Sequence, residues 1–176
     1  MTSESRPTFA TPEQLLVLLD ELGLESTTHD HAAVFTVEES KALRGDIPGA
    51  HCKNLFLRNK KGRMWLAVCP EGLRLDLKAL GAAIGAGRLS FASAERLQQH
   101  LGVTPGSVTP FAVVNDREGN VPVVLVESLL EEELLNFHPL INSRTTTLSP
   151  EALLTFLRAL DHEPKIVRDT EISRDD

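Results

Sequence analysis

The sequence of 176 residues has few cysteines, no long apolar run and no surplus of positive charge. Its two cysteines, Cys52 and Cys69, are too few for a disulfide framework and too far apart for a CxxC motif, so we expect reduced, buried thiols. No apolar stretch is long enough to cross a bilayer, and the first residues lack the apolar centre of a signal peptide. We therefore expect a cytoplasmic protein with no membrane contact.

Motifs of common catalytic and cofactor sites are also missing. The chain has no HExxH, no Walker pattern and no dinucleotide-binding glycine pattern, and Ser107 does not lie in a GxSxG sequence. His29 and His31 could point the same way on a strand, but no third ligand follows at a recognisable spacing. We predict no metal, no cofactor and no nucleophilic triad.

The net charge of −7 argues against a protein that grips long stretches of nucleic acid, because phosphate binding depends mainly on Lys and Arg. It is compatible with the capture of a single RNA end in a pocket. Positive charge is concentrated at residues 58–63, a segment that taken alone is typical of a solvated hairpin tip. Hydrophobic residues at 41% and charged residues at 24% are ordinary for a globular domain.

Capping and turn signals divide the chain into short elements. An amphipathic helix is predicted from Thr11-Pro12 to Gly23, and Thr36 with Glu39 fits a capping box for a short helix to Leu43. Further helices are predicted to begin after Asp76, Ser93 and Ser149. The predicted strands are 51–58 and 64–70 in one hairpin, 111–115 and 122–126 in a second hairpin, and 134–140 and 144–148.

The irregular alternation of strands and helices predicts an α+β fold with a mixed, largely antiparallel sheet surrounded by short helices. A single domain is expected over residues 1–162, followed by a polar, mobile tail over residues 163–176 where the hydrophobic pattern fades.

Lys53 is the most informative single residue. Strand alternation places Lys53, Leu55 and Leu57 on one face of the predicted strand. From this spacing, a lysine that extends along the strand to reach solvent is favoured over an inward charge held for a substrate. His138, which precedes a proline in an extended segment, is likewise more often structural than catalytic in such a context.

Several segments nevertheless match one family in the same order. They are His31 with Thr36–Glu39, Lys53–Leu57, Gly106–Pro110 with Phe111 and Asn115, and Phe137–Leu140 with Asn142 and Thr145. In this order, over nearly the whole chain, the sequence resembles the free-standing editing domains of the YbaK and prolyl-tRNA synthetase insertion-domain superfamily. It is most similar to the alanyl-tRNA(Pro) deacylases.

The resemblance implies that the chain hydrolyses the ester between a wrong amino acid and the 3′-terminal adenosine of proline tRNA, without a metal or cofactor. A synthetase pocket built for proline excludes the smaller alanine poorly, since a missing apolar group is worth only ~1–3 kcal/mol. Cysteine or another small amino acid is an alternative substrate, and a non-catalytic tRNA-binding relative is an alternative function. The implied partners are the acceptor end of tRNA(Pro) and, transiently, prolyl-tRNA synthetase.

The resemblance also implies roles for individual residues. Lys53 would hold a phosphate or the amino acid's carbonyl group, backbone N–H groups at Gly106 would stabilise the oxyanion, and His138 would shape the pocket or order water. The expected substrate-binding residues are His31, Thr36, Asn54, Ser107, Pro110, Asn115 and Asn142.

Overall fold

The computed structural model describes residues 8–33 and 47–174. The strands of these residues are β1 (Ser26–Asp30), β2 (Ala50–Arg58), β3 (Met64–Pro70), β4 (Ser90–Phe91), β5 (Val123–Val126), β6 (Leu135–Phe137), β7 (Arg144–Leu148) and β8 (Lys165–Val167). The helices are α1 (Pro12–Glu21), α2 (Leu77–Ala83), α3 (Ala94–Leu101), α4 (Pro150–Ala159) and α5 (Asp169–Ile172). Short 3-10 segments span Pro105–Ser107, Pro110–Asn115 and Glu127–Glu131. None of the helices in this part of the chain is long and apolar enough to span a membrane.

The eight strands described form one mixed sheet in the order β1-β7-β6-β2-β3-β5-β8, and β4 pairs with β2 beside this path. The pairs β1–β7, β7–β6, β2–β3 and β2–β4 are antiparallel. The pairs β6–β2, β3–β5 and β5–β8 are parallel. The predicted α+β fold with a mixed, largely antiparallel sheet and short helices is confirmed.

Strands β2 and β3 separate two apolar cores because their side chains alternate between the two faces of the sheet. Phe56, Leu66 and Val68 belong to the larger core, which α1, α3 and α4 cover. Leu57 and Trp65 belong to the smaller core, to which α2 and α5 contribute. The alternation also places two neighbouring polar residues of β2, Lys53 and Asn54, on opposite faces.

The predicted helix starts and the first hairpin are confirmed. Thr11 accepts the N–H of Gln14 at 3.1 Å in a complete capping box. Asp76, Ser93 and Ser149 each accept backbone N–H groups at the start of α2, α3 and α4. The capping box at Thr36 and its helix to Leu43 lie outside the described residues.

The predicted second hairpin is wrong. Residues 110–115 form a 3-10 segment, and β5 pairs in parallel with β3 and β8 instead of with residues 111–115. Phe111, Ala112 and Val113 are all buried. A short, fully apolar run of this kind has no period that distinguishes a buried helical turn from a strand. The strand predicted at 134–140 is also shorter, since β6 ends at Phe137.

The segment after residue 162 is part of the fold instead of a tail. Strand β8 completes the sheet beside β5, and helix α5 follows it. Val167 and Ile172 are 3% and 0% exposed in the smaller core. Two apolar side chains in a polar segment are enough to anchor it, and so sparse a pattern gives no period for the sequence to reveal.

A buried ion pair joins the loop before β5 to the end of α4. His162 Nε2 lies 2.9 Å from Asp116 Oδ2, and their side chains are 4% and 3% exposed. Burial alone raises the pKa of Asp116, but hydrogen bonds from His162, Val121 and Asn120 lower it overall. Burial alone lowers the pKa of His162, but its bonds to Asp116 and to the Leu160 carbonyl raise it overall.

The variant His162→Gln should flatten the dependence of stability on pH. Because the folded pKa of His162 is raised above 6.5, its contribution is complete below pH 6.5 and is lost as the pH rises through the folded pKa. Glutamine can donate to Asp116 but carries no charge. Urea unfolding between about pH 6 and pH 9 should therefore show a decline in the wild-type free energy of unfolding that the variant lacks. His100→Gln, on α3, is the control, and equal slopes in wild type and His162→Gln would contradict this role.

Candidate functional site

Strand β2 has one continuous edge and one interrupted edge. Strand β3 pairs with it from Cys52 to Arg58. On the opposite edge, β6 pairs only with Ala50 and His51, and β4 pairs only with Leu57 and Arg58. Between these two pairings, no strand in residues 8–33 and 47–174 lies against β2. The interruption opens the sheet near its centre.

The backbone of Asn54 faces this interruption. N–H and C=O groups of alternate residues in a strand point to opposite edges. Ala50 N donates to Leu134 O at 2.9 Å, and Phe56 O accepts from Ala92 N at 3.0 Å, so even-numbered residues of β2 point to the interrupted edge. Asn54 lies between these two contacts.

A pocket of 230 Å³ lies at the interruption. Its walls come from β2, from β4 with the start of α3, and from the 3-10 segment Pro105–Ser107 with the residue after it. The lining residues are Asn54, Leu55, Phe56, Phe91, Ala92, Ala94, Leu97, Pro105 and Val108. Among these described lining residues Asn54 has the one polar side chain, and the others are apolar, a composition typical of a site for a small ligand.

Asn54 supplies the pocket with an unpaired acceptor. Its side-chain oxygen is buried and has no hydrogen-bond partner among the described residues. A buried carbonyl group without a partner costs about 1–3 kcal/mol. Such an oxygen is typical of a position that pairs with a ligand.

The 3-10 segment with Gly106 joins this pocket to a second group of polar residues. Pro105 and Val108 line the pocket. A Cβ atom at Gly106 would lie 3.4 Å from Asn142 Nδ2, a close contact with the turn that follows β6. Ser107 N donates to Thr104 O at 2.9 Å, which fixes the segment.

His138 lies in the turn after β6 in a defined tautomer. Its Nδ1 lies 2.9 Å from the carbonyl oxygen of Arg144, which can only accept, so Nδ1 carries the proton. Burial lowers the pKa of His138, the Arg144 carbonyl opposes this, and the neighbouring His31 lowers the pKa further. His138 is therefore neutral at pH 7, with the lone pair of Nε2 as an acceptor. Leu140 in the same turn has a φ of 69°, a strained conformation for a non-glycine residue.

His31 faces His138 and is fixed on both sides. The two ring centroids are 6.3 Å apart. His31 Nδ1 donates to Ala32 O, and Nε2 lies 2.8 Å from Thr145 Oγ1 on β7. His31, His138, Asn142 and the matched Thr145 are thus brought together at one end of the sheet.

Lys53 lies outside this group. It is half-buried on the face of β2 opposite to Asn54, and its ammonium group donates to Leu73 O in the loop after β3. It is close enough to offset part of the rise that burial causes in the pKa of Cys69. The prediction that Lys53 shares a face with Leu55 and Leu57 is confirmed, since Leu55 and Leu57 both pack in the smaller core.

The remaining predicted residues that the structure describes make contacts within the fold. Asn115 accepts the N–H of Ala10 and donates to Leu101 O, each at 2.8 Å, which ties the N-terminal segment to α3 away from the pocket. Ser107 and Pro110 are buried within the two 3-10 segments, at the end of the first and the start of the second. Thr36 lies outside the described residues.

Neither cysteine is a reactive thiol. Burial raises the pKa of Cys52 to about 12, and the neighbouring Cys69 and acidic side chains add to the rise. A thiol with this pKa is protonated at neutral pH and is a poor nucleophile. Within residues 8–33 and 47–174, no three His, Cys, Asp or Glu side chains are grouped to hold a metal ion.

The pocket walls from β4 and α3 were missed in the sequence. Phe91 and Ala92 precede the helix cap Ser93, and Leu97 lies in α3. This is an ordinary capping pattern, and nothing in the spacing of the three residues indicates a pocket. They reach the site because β4 pairs with the far end of β2. The available signal is Phe91 itself, an aromatic residue two positions before the helix cap Ser93 and three positions after Arg88.

Comparisons with known proteins agree on one family. A family model described as the aminoacyl-tRNA editing domain matches residues 31–156. The chain is 39% identical over 148 residues to the prolyl-tRNA editing protein ProX of Acetoanaerobium sticklandii, a match that covers 84% of this chain and 90% of that protein. It is 36% identical over 154 residues to prolyl-tRNA synthetase associated domain-containing protein 1 of Mus musculus, covering 85% and 90%.

A solved structure, named provisionally as a trans-editing enzyme for prolyl tRNA synthetase, has the same fold. Its TM-score is 0.70 at 20% identity, and the match covers 96% of this chain and all of that one.

Replacing Asn54 should show whether its side chain stabilises the fold. Asn54→Leu removes a buried oxygen without a partner, so the free energy of unfolding should stay the same or rise by about 1 kcal/mol. The matched control is Asn136→Leu. Asn136 is 5% exposed, donates to Pro48 O and accepts from Thr147, so its loss should cost about 2 kcal/mol or more. Chemical denaturation measures both, and an equal loss in the two variants would show that Asn54 is structural.

Proposed function

Because the chain belongs to the aminoacyl-tRNA editing domain family, we propose that it hydrolyses the ester of a mischarged tRNA. We further propose that the tRNA is tRNA(Pro) and that the amino acid removed is alanine. The relatives named as prolyl-tRNA editing proteins support the choice of tRNA. The observation that carries the proposal is the pocket at the interrupted edge of β2, where Asn54 presents an unpaired buried oxygen.

In this proposal the aminoacyl group enters the pocket beside Asn54. The α-ammonium group of an amino acid is a strong donor, and the Asn54 oxygen is an acceptor without a partner among the described residues. The apolar walls from Phe56, Leu97 and Val108 would receive the small side chain. The α-ammonium group of the substrate would thus be bound by the neutral Asn54 oxygen, without a charged side chain of the protein.

Hydrolysis requires water to attack the ester carbonyl and donors to stabilise the oxyanion that forms. We propose that the N–H of Gly106 is such a donor. Its neighbours Pro105 and Val108 line the pocket, and glycine allows a substrate to approach the backbone closely. The N–H of Ser107 is already used by Thr104 O.

His138 supplies a neutral hydrogen-bond acceptor for water or a substrate hydroxyl group. With the proton held on Nδ1, the neutral ring can accept a hydrogen bond at Nε2 from a water molecule or from a hydroxyl group of the terminal ribose. A ribose hydroxyl that orients or activates the water would complete the reaction. This is consistent with the protonated Cys52 and with a pocket lining that, among the described residues, contains no Ser, Thr, Cys or Lys side chain.

We propose that Lys53 binds the terminal nucleotide electrostatically. Its ammonium group is held by a backbone carbonyl and forms no ion pair among the described residues, so it can exchange this contact for a phosphate oxygen. It acts from the other face of β2, and its role is therefore to hold the substrate rather than to transfer a proton. A transient contact with prolyl-tRNA synthetase would deliver the substrate.

Lys53→Ala should abolish deacylation of Ala-tRNA(Pro) while leaving the fold intact, because a partly buried cation that contacts a phosphate is worth more than an exposed one. Lys53→Arg should retain part of the activity. The measurement is release of labelled alanine, with circular dichroism and thermal melting as the check on the fold. Lys78→Ala, on α2, is a control at a second lysine. Unchanged turnover in Lys53→Ala would remove Lys53 from the site.

Enlarging the pocket should weaken its selection against proline. Val108→Ala removes two methyl carbons from the wall, and differences of this size change discrimination by roughly tenfold or more. We expect hydrolysis of Pro-tRNA(Pro) to rise relative to Ala-tRNA(Pro). A panel of alanine, cysteine, serine and proline esters on proline tRNA measures this for wild type and variant.

The same panel tests the alternatives. Preference of the wild type for cysteine would assign the chain to Cys-tRNA(Pro), and no turnover on any ester would favour a non-catalytic tRNA-binding relative. An unchanged ratio in Val108→Ala would show that this wall does not contact the amino acid.

A further inference from the structure

A cluster of four cations lies beyond the pocket. Lys60, Lys61 and Arg63 belong to the turn between β2 and β3, and Arg88 precedes β4. All four are exposed and line a cleft of 380 Å³. Within residues 8–33 and 47–174, none of the four forms an ion pair. Four unpaired cations on one face of a chain with a net charge of −7 indicate a site for an anion.

Asn59 fixes the two segments that carry these cations. It is 8% exposed, and its side chain donates to Ala86 O at 3.0 Å. Its side-chain oxygen accepts the N–H groups of Lys61 and Arg63 at 3.1 and 3.0 Å. The cations are therefore held on a defined backbone, as a binding surface requires.

Phe91 lies between this cluster and the pocket. It is 63% exposed, an unusual value for phenylalanine, and it forms part of the pocket wall. Strand β4 holds it opposite Leu57, and Arg88 lies three residues before it. An exposed aromatic ring next to a group of cations is the arrangement that binds single-stranded nucleic acid, because every base has a face that can stack.

These features follow one another along β2. Asn54 is at the pocket, Phe91 pairs at Leu57, and Asn59 anchors the cation cluster. At about 3.3 Å per residue, Asn54 and Asn59 are roughly 16 Å apart along the strand. This length suits a short single-stranded segment whose terminal residue is bound in the pocket.

We propose that the single-stranded 3′ end of the RNA substrate binds along this line, with the terminal adenine stacked on Phe91 and the preceding phosphates on the cluster of Lys60, Lys61, Arg63 and Arg88. This inference rests on the proposed function, since it assumes that the aminoacyl ester lies in the pocket. It explains how an acidic chain binds RNA: the contact is confined to one end of the RNA, and the remaining negative charge disfavours longer contacts.

Binding of an uncharged RNA tests the inference separately from hydrolysis. The probe is an acceptor-stem hairpin ending in CCA with 2-aminopurine in place of the terminal adenine, whose fluorescence is quenched by stacking. Full-length wild-type protein should quench it. Phe91→Leu should remove the quenching and weaken binding roughly 5- to 100-fold, and Phe91→Trp should retain both. Val17→Ala removes an exposed apolar side chain on α1 and should change neither.

The cluster is tested through the salt dependence of the same binding. The double variant Lys60→Gln and Lys61→Gln should reduce the slope of log affinity against log salt by about 0.7 for each cation that contacts a phosphate. Lys165→Gln, an exposed cation on β8, is the control and should leave the slope unchanged.

Ester hydrolysis by the wild type and RNA binding by the variants test the proposed function and the RNA surface separately. A wild type that hydrolyses Ala-tRNA(Pro), with Phe91→Leu retaining full quenching and affinity, would overturn the inference and leave the function intact. A wild type that hydrolyses no ester but shows the expected losses in Phe91→Leu and in the lysine double variant would overturn the function and support the RNA surface. An unchanged salt slope in the double variant would remove the cation cluster from that surface.

Discussion

The change of partner along one edge of β2 is the constraint on which the candidate site depends. A strand in the middle of a sheet normally has both edges paired, which uses all its backbone groups. Here β6 pairs with the start of β2 and β4 with its end, and the two leave a space between them. The pocket, the unpaired oxygen of Asn54 and the approach of the Gly106 segment all lie at this space. The sheet thus supplies rigid walls and an opening at the same place.

Two ionisable groups near the candidate site, on His138 and Cys52, are held neutral. His138 has a lowered pKa and a proton fixed on Nδ1, and Cys52 stays protonated. Charged side chains are found at the margins, on Lys53 and on the basic turn. This division suits the aminoacyl ester proposed as the substrate, because neutral dipoles in fixed positions stabilise developing charge without a large desolvation cost.

The sequence predicts the fold well where local signals are strong. Capping residues such as Thr11 and Ser149 identify helix starts, and the alternation in β2 and β3 identifies the first hairpin. It fails for Phe111–Val113 and for β8, where short apolar segments are buried by contacts distant in sequence. The candidate site follows the same rule. Family motifs identify His138 and Asn54, whereas Phe91 and Leu97 reach the pocket only through the pairing of β4 with β2.

The position of β8 at the end of the sheet has a consequence for biosynthesis. Residues 165–167 pair with β5, which itself pairs with β3, so the smaller core stays open until residues 165–172 have left the ribosome. Until then, β5 presents an unpaired edge rich in valine, a template for association between nascent chains. A fragment that ends before residue 165 would keep that edge of β5 exposed, so we expect it to associate with other chains more readily than a chain that includes β8.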